Sequence, residues 1–205
     1  MKTAEMVCPC CLKTECVCEG CVQSIKNPAV ARVMMNGHLP QPQHQLRIYI
    51  GSGHARIPGF QRFDIDPKTA PDILGDVARI TEKVPAGTVD ELKAHHILEH
   101  FFIAQAFGVM REWWAVLKPG GRLEIAVPDC GYAARAYAMQ AIDHNQFVKI
   151  LAGADQMANE WMVHKNFFTT ERLERLLFIT GFVRVKDIRV KQDEIRFEAF
   201  KPEDK

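Results

Sequence analysis

The residues best suited to chemistry surround a short glycine-containing turn. An apolar run over residues 46–50 stops at Gly51-Ser52-Gly53, and a second strand-like run, Gln61–Asp64, ends on an acid. Glycines in such a turn let bare backbone N–H groups approach a ligand closely. An acid at the end of the next strand can accept hydrogen bonds from a ribose. The combination predicts a site for a nucleoside-containing cofactor in an α/β domain.

A second group of reactive side chains is a cysteine cluster near the N-terminus. Six of the seven cysteines lie in residues 1–25. Zinc takes about four thiolate or imidazole ligands at tetrahedral corners, and closely spaced cysteines can supply them. We predict a structural Zn²⁺ site that uses four of the six; a metal-free thiol-rich tail and a redox role are the alternatives. The candidate ligands are Cys8, Cys10, Cys11, Cys16, Cys18 and Cys21.

The composition indicates a globular protein without a membrane or nucleic-acid partner. The apolar fraction is 47%, the charged fraction 25% and the net charge +1, so a broad phosphate-binding surface is not expected. No apolar run approaches the roughly 20 residues of a membrane helix, and the polar start does not resemble a signal peptide. Clustered rather than dispersed cysteines favour a reducing compartment. We therefore expect a cytoplasmic protein.

From residue 46 onward, short apolar runs alternate with longer amphipathic stretches, which is typical of a mainly parallel sheet covered by helices. The last two predicted strands form an antiparallel hairpin. Strands are predicted at 46–50, Gln61–Asp64, 72–74, 89–94, 122–127, 183–190 and Glu194–Phe200, and helices at 97–117, 132–143 and Thr170–Thr180. The predicted organisation is a Cys-rich segment at 1–25, a helical connector at 26–45 and the main domain at 46–205.

Five segments of the main domain resemble class I S-adenosylmethionine-dependent methyltransferases, in particular the methyltransferase type 11-like branch. They are IYIGSG, FDIDP, DILGDVARI, VDELKAHHILEHF with LKPGGRLEIAVPD, and HKNFFTTERLERLLFITGF, in the order and spacing of that family. The resemblance implies an α/β, Rossmann-like doubly wound fold. Its sheet is mainly parallel and seven-stranded with an antiparallel last strand. The cysteine cluster adds an N-terminal zinc-knuckle-like appendage.

The resemblance also implies a cofactor, S-adenosylmethionine, and the residues that hold it. Gly51, Ser52 and Gly53 border its methionine part, and Asp64 binds the ribose hydroxyls. Asp76 and Val77 flank the adenine, and Ala94 and His95 pass under the sulfonium. The mutation Asp64→Ala is thus expected to weaken cofactor binding at least tenfold with a nearly unchanged melting temperature.

The methyl acceptor is not named by the sequence, and a small molecule, a lipid-linked sugar or a protein side chain would each be compatible. The insertion 131–168 lies where this fold places acceptor recognition. A base is needed only if the acceptor must lose a proton. The candidates for acting on the acceptor are His95, His96, Asp129 and His164.

Three other interpretations compete with this one. A dinucleotide fingerprint would need a third glycine where Arg56 stands. The string H-x-x-E-H from His96 to His100 matches an inverted zinc-protease signature, which requires a helix and a third, distant ligand. An inactive binding or scaffold module with a zinc knuckle for partner contacts is favoured by two departures from the family, Tyr49 in place of an acid and Ala55 in place of the third glycine.

Overall fold

The structure, a computed structural model, describes residues 45–153 and 160–203. The cysteine cluster and residues 26–44 of the predicted connector lie outside the described residues, so the zinc site and the three-part organisation stay predictions. The strands are β1 Arg47–Ile50, β2 Gln61–Asp64, β3 Ile73–Leu74, β4 Val89–His95, β5 Leu117–Pro128, β6 Val183–Asp187 and β7 Glu194–Phe200. The α-helices are α1 Ile103–Val116, α2 Cys130–Ala138, α3 His144–Ala152 and α4 Thr170–Thr180.

The strands form one mixed sheet in the order β3-β2-β1-β4-β5-β7-β6. Strands β1 to β5 pair in parallel, whereas β7 is antiparallel to both β5 and β6. The predicted fold class is confirmed, including the terminal hairpin. Because the order reverses between β1 and β4, the carboxyl ends of these strands form the crevice where open α/β sheets bind ligands.

Two predicted helices have different bounds in the structure. The helix predicted at 97–117 is replaced by a 3₁₀ turn, Leu98–His100, followed by α1. The one predicted at 132–143 starts two residues earlier, because Asp129 caps it, and ends at Ala138. Helix α3 was not predicted; its start is fixed by a capping box between Asp143 and Gln146.

One face of the sheet packs against α1 and α4 to form the apolar core. Trp113 of α1 is fully buried, and its indole N–H donates to the Val77 carbonyl at 2.9 Å. This bond ties α1 to the 3₁₀ segment Val77–Glu82, which follows β3. Within the described residues, no helix is long and apolar enough to cross a membrane.

Candidate functional site

The glycine turn after β1 is in direct contact with the acid after β2. Gly51 and Gly53 have φ values of +60° and +52°, in the left-handed region that favours glycine. The Gly51 N–H donates to the Phe63 carbonyl at 2.9 Å, and the Gly53 N–H donates to Asp64 Oδ2 at 2.7 Å. The two features that predict a nucleoside site therefore meet at one edge of the sheet.

Asp64 is buried, yet its carboxylate keeps the capacity to bind a ligand. Oδ2 accepts from Gly53 and Oδ1 accepts from the Asp66 N–H at 2.9 Å. An ionised carboxylate offers about four acceptor positions, so each oxygen can accept one more bond. Beside it, Ile65 and Leu74 expose 44% and 50% of their surface at the ends of β2 and β3. This surface is suited to an apolar ring next to a pair of hydroxyls.

Asp76 and Val77 lie just after β3, where the resemblance predicts the adenine contact. The Gly75 N–H donates to the Asp64 carbonyl at 2.9 Å, which holds this turn against the end of β2. Asp76 accepts from the Ala78 N–H at 2.9 Å and starts the 3₁₀ segment. The Val77 side chain is buried in the core. Only Asp76 of this pair presents a partly exposed side chain.

The segment that leaves β4 packs on the glycine turn. Ala94 is buried in the sheet between Ile50 and Ile125. A Cβ added to Gly51 would lie 2.7 Å from the Ile97 Cδ1 atom. Ile97 lies two residues after His95. The segment predicted to pass under the sulfonium is therefore continuous with a residue that packs on the turn predicted to border the methionine part.

His95 points into a network of charged side chains on the second face of the sheet. Its Nε2 lies 2.8 Å from Glu124 Oε1, and its ring contacts Tyr49 edge to face. Glu124 also pairs with Lys93 at 3.1 Å and with Arg122 at 3.1 Å. The bond from His95 is the largest cause, ahead of Lys93, that lowers the pKa of Glu124 to about 2, although burial opposes it.

We expect Glu124→Gln to reduce the free energy of unfolding by about 2 kcal/mol at pH 7. A carboxyl whose pKa is lowered by folding stabilises the native state above its ordinary pKa of 4.5, and this contribution is lost as the pH falls toward 2. The difference between the wild type and the variant should therefore shrink below about pH 4.5. Urea unfolding at several pH values measures it, with the exposed Glu82→Gln as control. If the difference in the free energy of unfolding does not vary with pH, the stabilisation does not come from the lowered pKa of Glu124.

A cavity of about 660 Å³ opens at the carboxyl ends of β4 and β5, beside α2 and α3. Two of the four candidate catalytic residues, His96 and His164, line it. His95 and Asp129 are not among its lining residues. The other lining residues with polar side chains are His100, Tyr132, Gln146, Lys149, Gln192 and Asp193.

Asp129 has partners that explain its position without a ligand. It is buried, its Oδ1 accepts from the Tyr132 N–H at 3.0 Å as the cap of α2, and its Oδ2 lies 3.4 Å from the Arg189 guanidinium. Both oxygens are therefore engaged in holding α2 and the segment after β6. This arrangement points to a structural role in placing the cavity wall.

Two of the three histidines that line the cavity, His96 and His164, have opposite pKa shifts. His96, which adopts a left-handed φ of +53°, lies between Glu99 at 3.3 Å and Glu194 at 2.8 Å. Its pKa is raised, chiefly by the Glu99 carboxylate and with help from Glu194. Burial lowers the pKa of His164, whose Nδ1–H donates to the Ile150 carbonyl at 3.1 Å. Near neutral pH, the His164 imidazole is therefore uncharged.

Glu99 and His100 belong to this site but were not among the predicted site residues. Glu99 is 1% exposed, and His100 contacts the His164 ring with centroids 5.1 Å apart. The H-x-x-E-H string was the signal that could have found them. At the sequence level this string has little weight, because it directly follows a predicted strand instead of lying on a helix and is common in the methyltransferase branch that the chain resembles.

Comparisons with known proteins agree with the fold. No protein-family model matches the sequence, and a search of curated proteins finds no match. Among solved structures, a possible exported protein from Bordetella parapertussis is 19% identical with a TM-score of 0.56, over 85% of this chain and 70% of that one. An S-adenosylmethionine-dependent methyltransferase from Methanosarcina mazei is 17% identical with a TM-score of 0.54, over 83% of this chain and 98% of that one. Another, from Archaeoglobus fulgidus, is 13% identical with a TM-score of 0.53, over 90% of this chain and 100% of that one.

The chain has the class I S-adenosylmethionine-dependent methyltransferase fold. The strand order, the antiparallel β7 and the similarity to several solved methyltransferases agree on this point. At identities of 13–19% the likeness establishes the fold alone. The activity must be inferred from the site.

Proposed function

We propose that the protein is an S-adenosylmethionine-dependent methyltransferase. The observation that carries the proposal is the hydrogen bond from the Gly53 N–H to Asp64 Oδ2, at the carboxyl edge of a methyltransferase-like sheet. It unites the glycine turn with the acid that is expected to bind a ribose. The surrounding residues fit the cofactor: a Cβ on Gly53 would meet no atom within 4 Å, so the turn is open to a ligand on that side.

Each part of the edge would contact a different part of the cofactor. Gly51 and Gly53 would border the methionine moiety, Asp64 would accept from the ribose hydroxyls, and the exposed Ile65 and Leu74 side chains would cover the adenine. When bound, S-adenosylmethionine supplies a methyl group already activated by its sulfonium. The chain's own task is then to align the acceptor and exclude water, and orientation of this kind can contribute roughly 7–11 kcal/mol.

The acceptor would bind in the cavity at the ends of β4 and β5. Its volume of about 660 Å³ suits a small molecule or an inserted protein side chain. An acceptor that must lose a proton would do so toward an imidazole of the cavity wall. The uncharged His164 is better suited to this than His96, whose pKa is raised by Glu99 and Glu194.

Isothermal titration with S-adenosylhomocysteine tests the proposal. We expect binding with a Kd between about 1 μM and 1 mM, the range usual for enzyme ligands. NAD is the control ligand and should not bind, because Arg56 occupies the position of the third glycine and irregular backbone follows the turn instead of an α-helix. Absence of heat with S-adenosylhomocysteine up to millimolar concentration would instead support the inactive scaffold.

A further inference from the structure

Glu99 is a buried carboxyl group that methyl transfer alone leaves unexplained. Its side chain is 1% exposed, and neither carboxylate oxygen has a hydrogen-bond partner among the residues that the structure describes. The nearest ring nitrogens, His96 Nδ1 and His164 Nε2, lie 3.3 Å and 3.9 Å from Oε1. Burying an ionised carboxylate is costly unless a cation compensates it. The surroundings of Glu99 therefore point to a positive ligand.

Two histidines close to this carboxylate are each held by a backbone carbonyl at Nδ1. The His100 Nδ1–H donates to the Val163 carbonyl at 3.2 Å, and the His164 Nδ1–H donates to the Ile150 carbonyl at 3.1 Å. Because a carbonyl only accepts, both Nδ1 atoms carry the proton, and Nε2 of each neutral ring keeps its lone pair. Histidines that bind metals are commonly held in this tautomer by such a bond.

The three side chains are close enough to share one ion. The ligand atoms of Glu99, His100 and His164 all lie within 4.8 Å of one another. Tetrahedral zinc with bonds of about 2.0–2.1 Å separates its ligands by about 3.3 Å, so side-chain movements on the order of 1 Å would complete the site. The Lys165 and Asn166 N–H groups donate to the Glu99 carbonyl at 2.8 Å and 3.1 Å. These bonds hold the segment that carries His164 against Glu99.

We propose that Glu99, His100 and His164 bind one divalent transition-metal ion of the zinc type. Two imidazoles and one carboxylate are a donor set of open zinc sites, in which water or a substrate fills the fourth position. His100 and His164 line the cavity, so that position faces the proposed acceptor site. An oxygen acceptor bound to the ion would lose its proton more readily. The ion would then replace His164 as the group that favours proton loss, because the Nε2 lone pair of His164 would bind the ion. The metal site itself does not depend on the proposed methyl transfer.

His96 is the alternative source of positive charge for Glu99. It approaches only Oε1, at 3.3 Å, and its other nitrogen is taken by Glu194 at 2.8 Å. Oε2 still has no hydrogen-bond partner in the described part of the chain. A single imidazolium shared between two carboxylates also leaves the position of His100 and His164 beside Glu99 unexplained, whereas a metal ion accounts for all three side chains.

Zinc titration of the full chain tests the site, provided that the N-terminal cysteines, which could also bind zinc, are first replaced. The starting protein has serine at the six N-terminal cysteines, Cys8, Cys10, Cys11, Cys16, Cys18 and Cys21. We expect calorimetry to show about one Zn²⁺ per chain and zinc to raise the melting temperature. His100→Ala and His164→Ala should each weaken binding at least a hundredfold, beyond the 10- to 100-fold typical of residues outside the ligand set. The exposed His144→Ala is the matched control.

Two further measurements keep the outcomes separable. Glu99→Gln preserves side-chain volume and should also weaken zinc binding at least tenfold; its near-ultraviolet circular dichroism shows whether the fold is intact. Equal affinity in the starting protein and in His164→Ala, or no zinc binding by the starting protein, would overturn the metal site. Titration of the same samples with S-adenosylhomocysteine is an independent measurement. A protein that binds S-adenosylhomocysteine but not zinc rejects only the metal site. A protein that binds zinc but not S-adenosylhomocysteine rejects only the proposed methyltransferase activity.

Discussion

The substitution Gly51→Ala is expected to lower the free energy of unfolding by about 3 kcal/mol, whereas Gly53→Ala should lower it by only about 1 kcal/mol. Both glycines have left-handed φ values, so alanine is strained at either position. Only at Gly51 would the new Cβ also collide with a side chain, at 2.7 Å from the Ile97 Cδ1 atom. Urea unfolding of the two variants measures the difference, and each serves as the control of the other.

A double-mutant cycle identifies the contact that is responsible. An Ile97→Ala background removes the contacts at 2.7 and 2.9 Å with Cδ1 and Cγ1 and leaves only the Cβ of residue 97, at 3.2 Å. Gly51→Ala should therefore cost clearly less there than in the wild type, close to the cost of Gly53→Ala. Ile97 follows the segment expected to pass under the sulfonium, so the single Gly51→Ala variant should also bind S-adenosylhomocysteine more weakly. An equal cost for Gly51→Ala in both backgrounds would show that Ile97 does not pack on this turn.

Asp64→Ala is expected to weaken S-adenosylhomocysteine binding at least tenfold and to destabilise the fold as well. The loss of affinity follows from the missing acceptor for the ribose hydroxyls, worth about 1.4 kcal/mol or more. The sequence alone predicts a nearly unchanged melting temperature. The structure changes that expectation, because Asp64 is buried and accepts the Gly53 and Asp66 N–H groups. Two lost hydrogen bonds correspond to about 2 kcal/mol of stability.

Asp66→Ala provides the matched control for this prediction. Asp66 lies two residues further on, is exposed, and caps the 3₁₀ turn Pro67–Thr69 through the Lys68 N–H at 2.9 Å. Its loss should cost about 1 kcal/mol of stability and leave ligand affinity unchanged. Titration calorimetry well below the melting temperature of each variant measures the ligand affinity of folded protein, so a loss of stability does not affect the result. Equal affinities of the Asp64→Ala variant and the wild type would remove Asp64 from the ribose role.

The sheet and its terminal hairpin were predictable because their signals are local. Alternating apolar runs, glycine turns and the cap and stop residues of α4 each depend on neighbouring positions in the chain. The bounds of α1 and α2 were predicted wrongly, because caps such as Asp129 compete with apolar periodicity over several residues. The charged face of the sheet also had a local signal, the alternation of Glu91, Lys93 and His95 along β4, which the apolar runs obscured.

Sequence by itself determined which residues could form the edge of the cofactor site, since Gly51, Gly53 and Asp64 are recognisable from strand ends alone. Only the tertiary structure decided that the Gly53 N–H bonds to Asp64, which gives this acid a structural role in addition to the proposed ligand-binding one. The same holds for Glu99 and His164, which are 65 positions apart and meet because the segment after α3 returns to the end of β4. Burial and distance between remote residues are products of packing, and no local pattern encodes them.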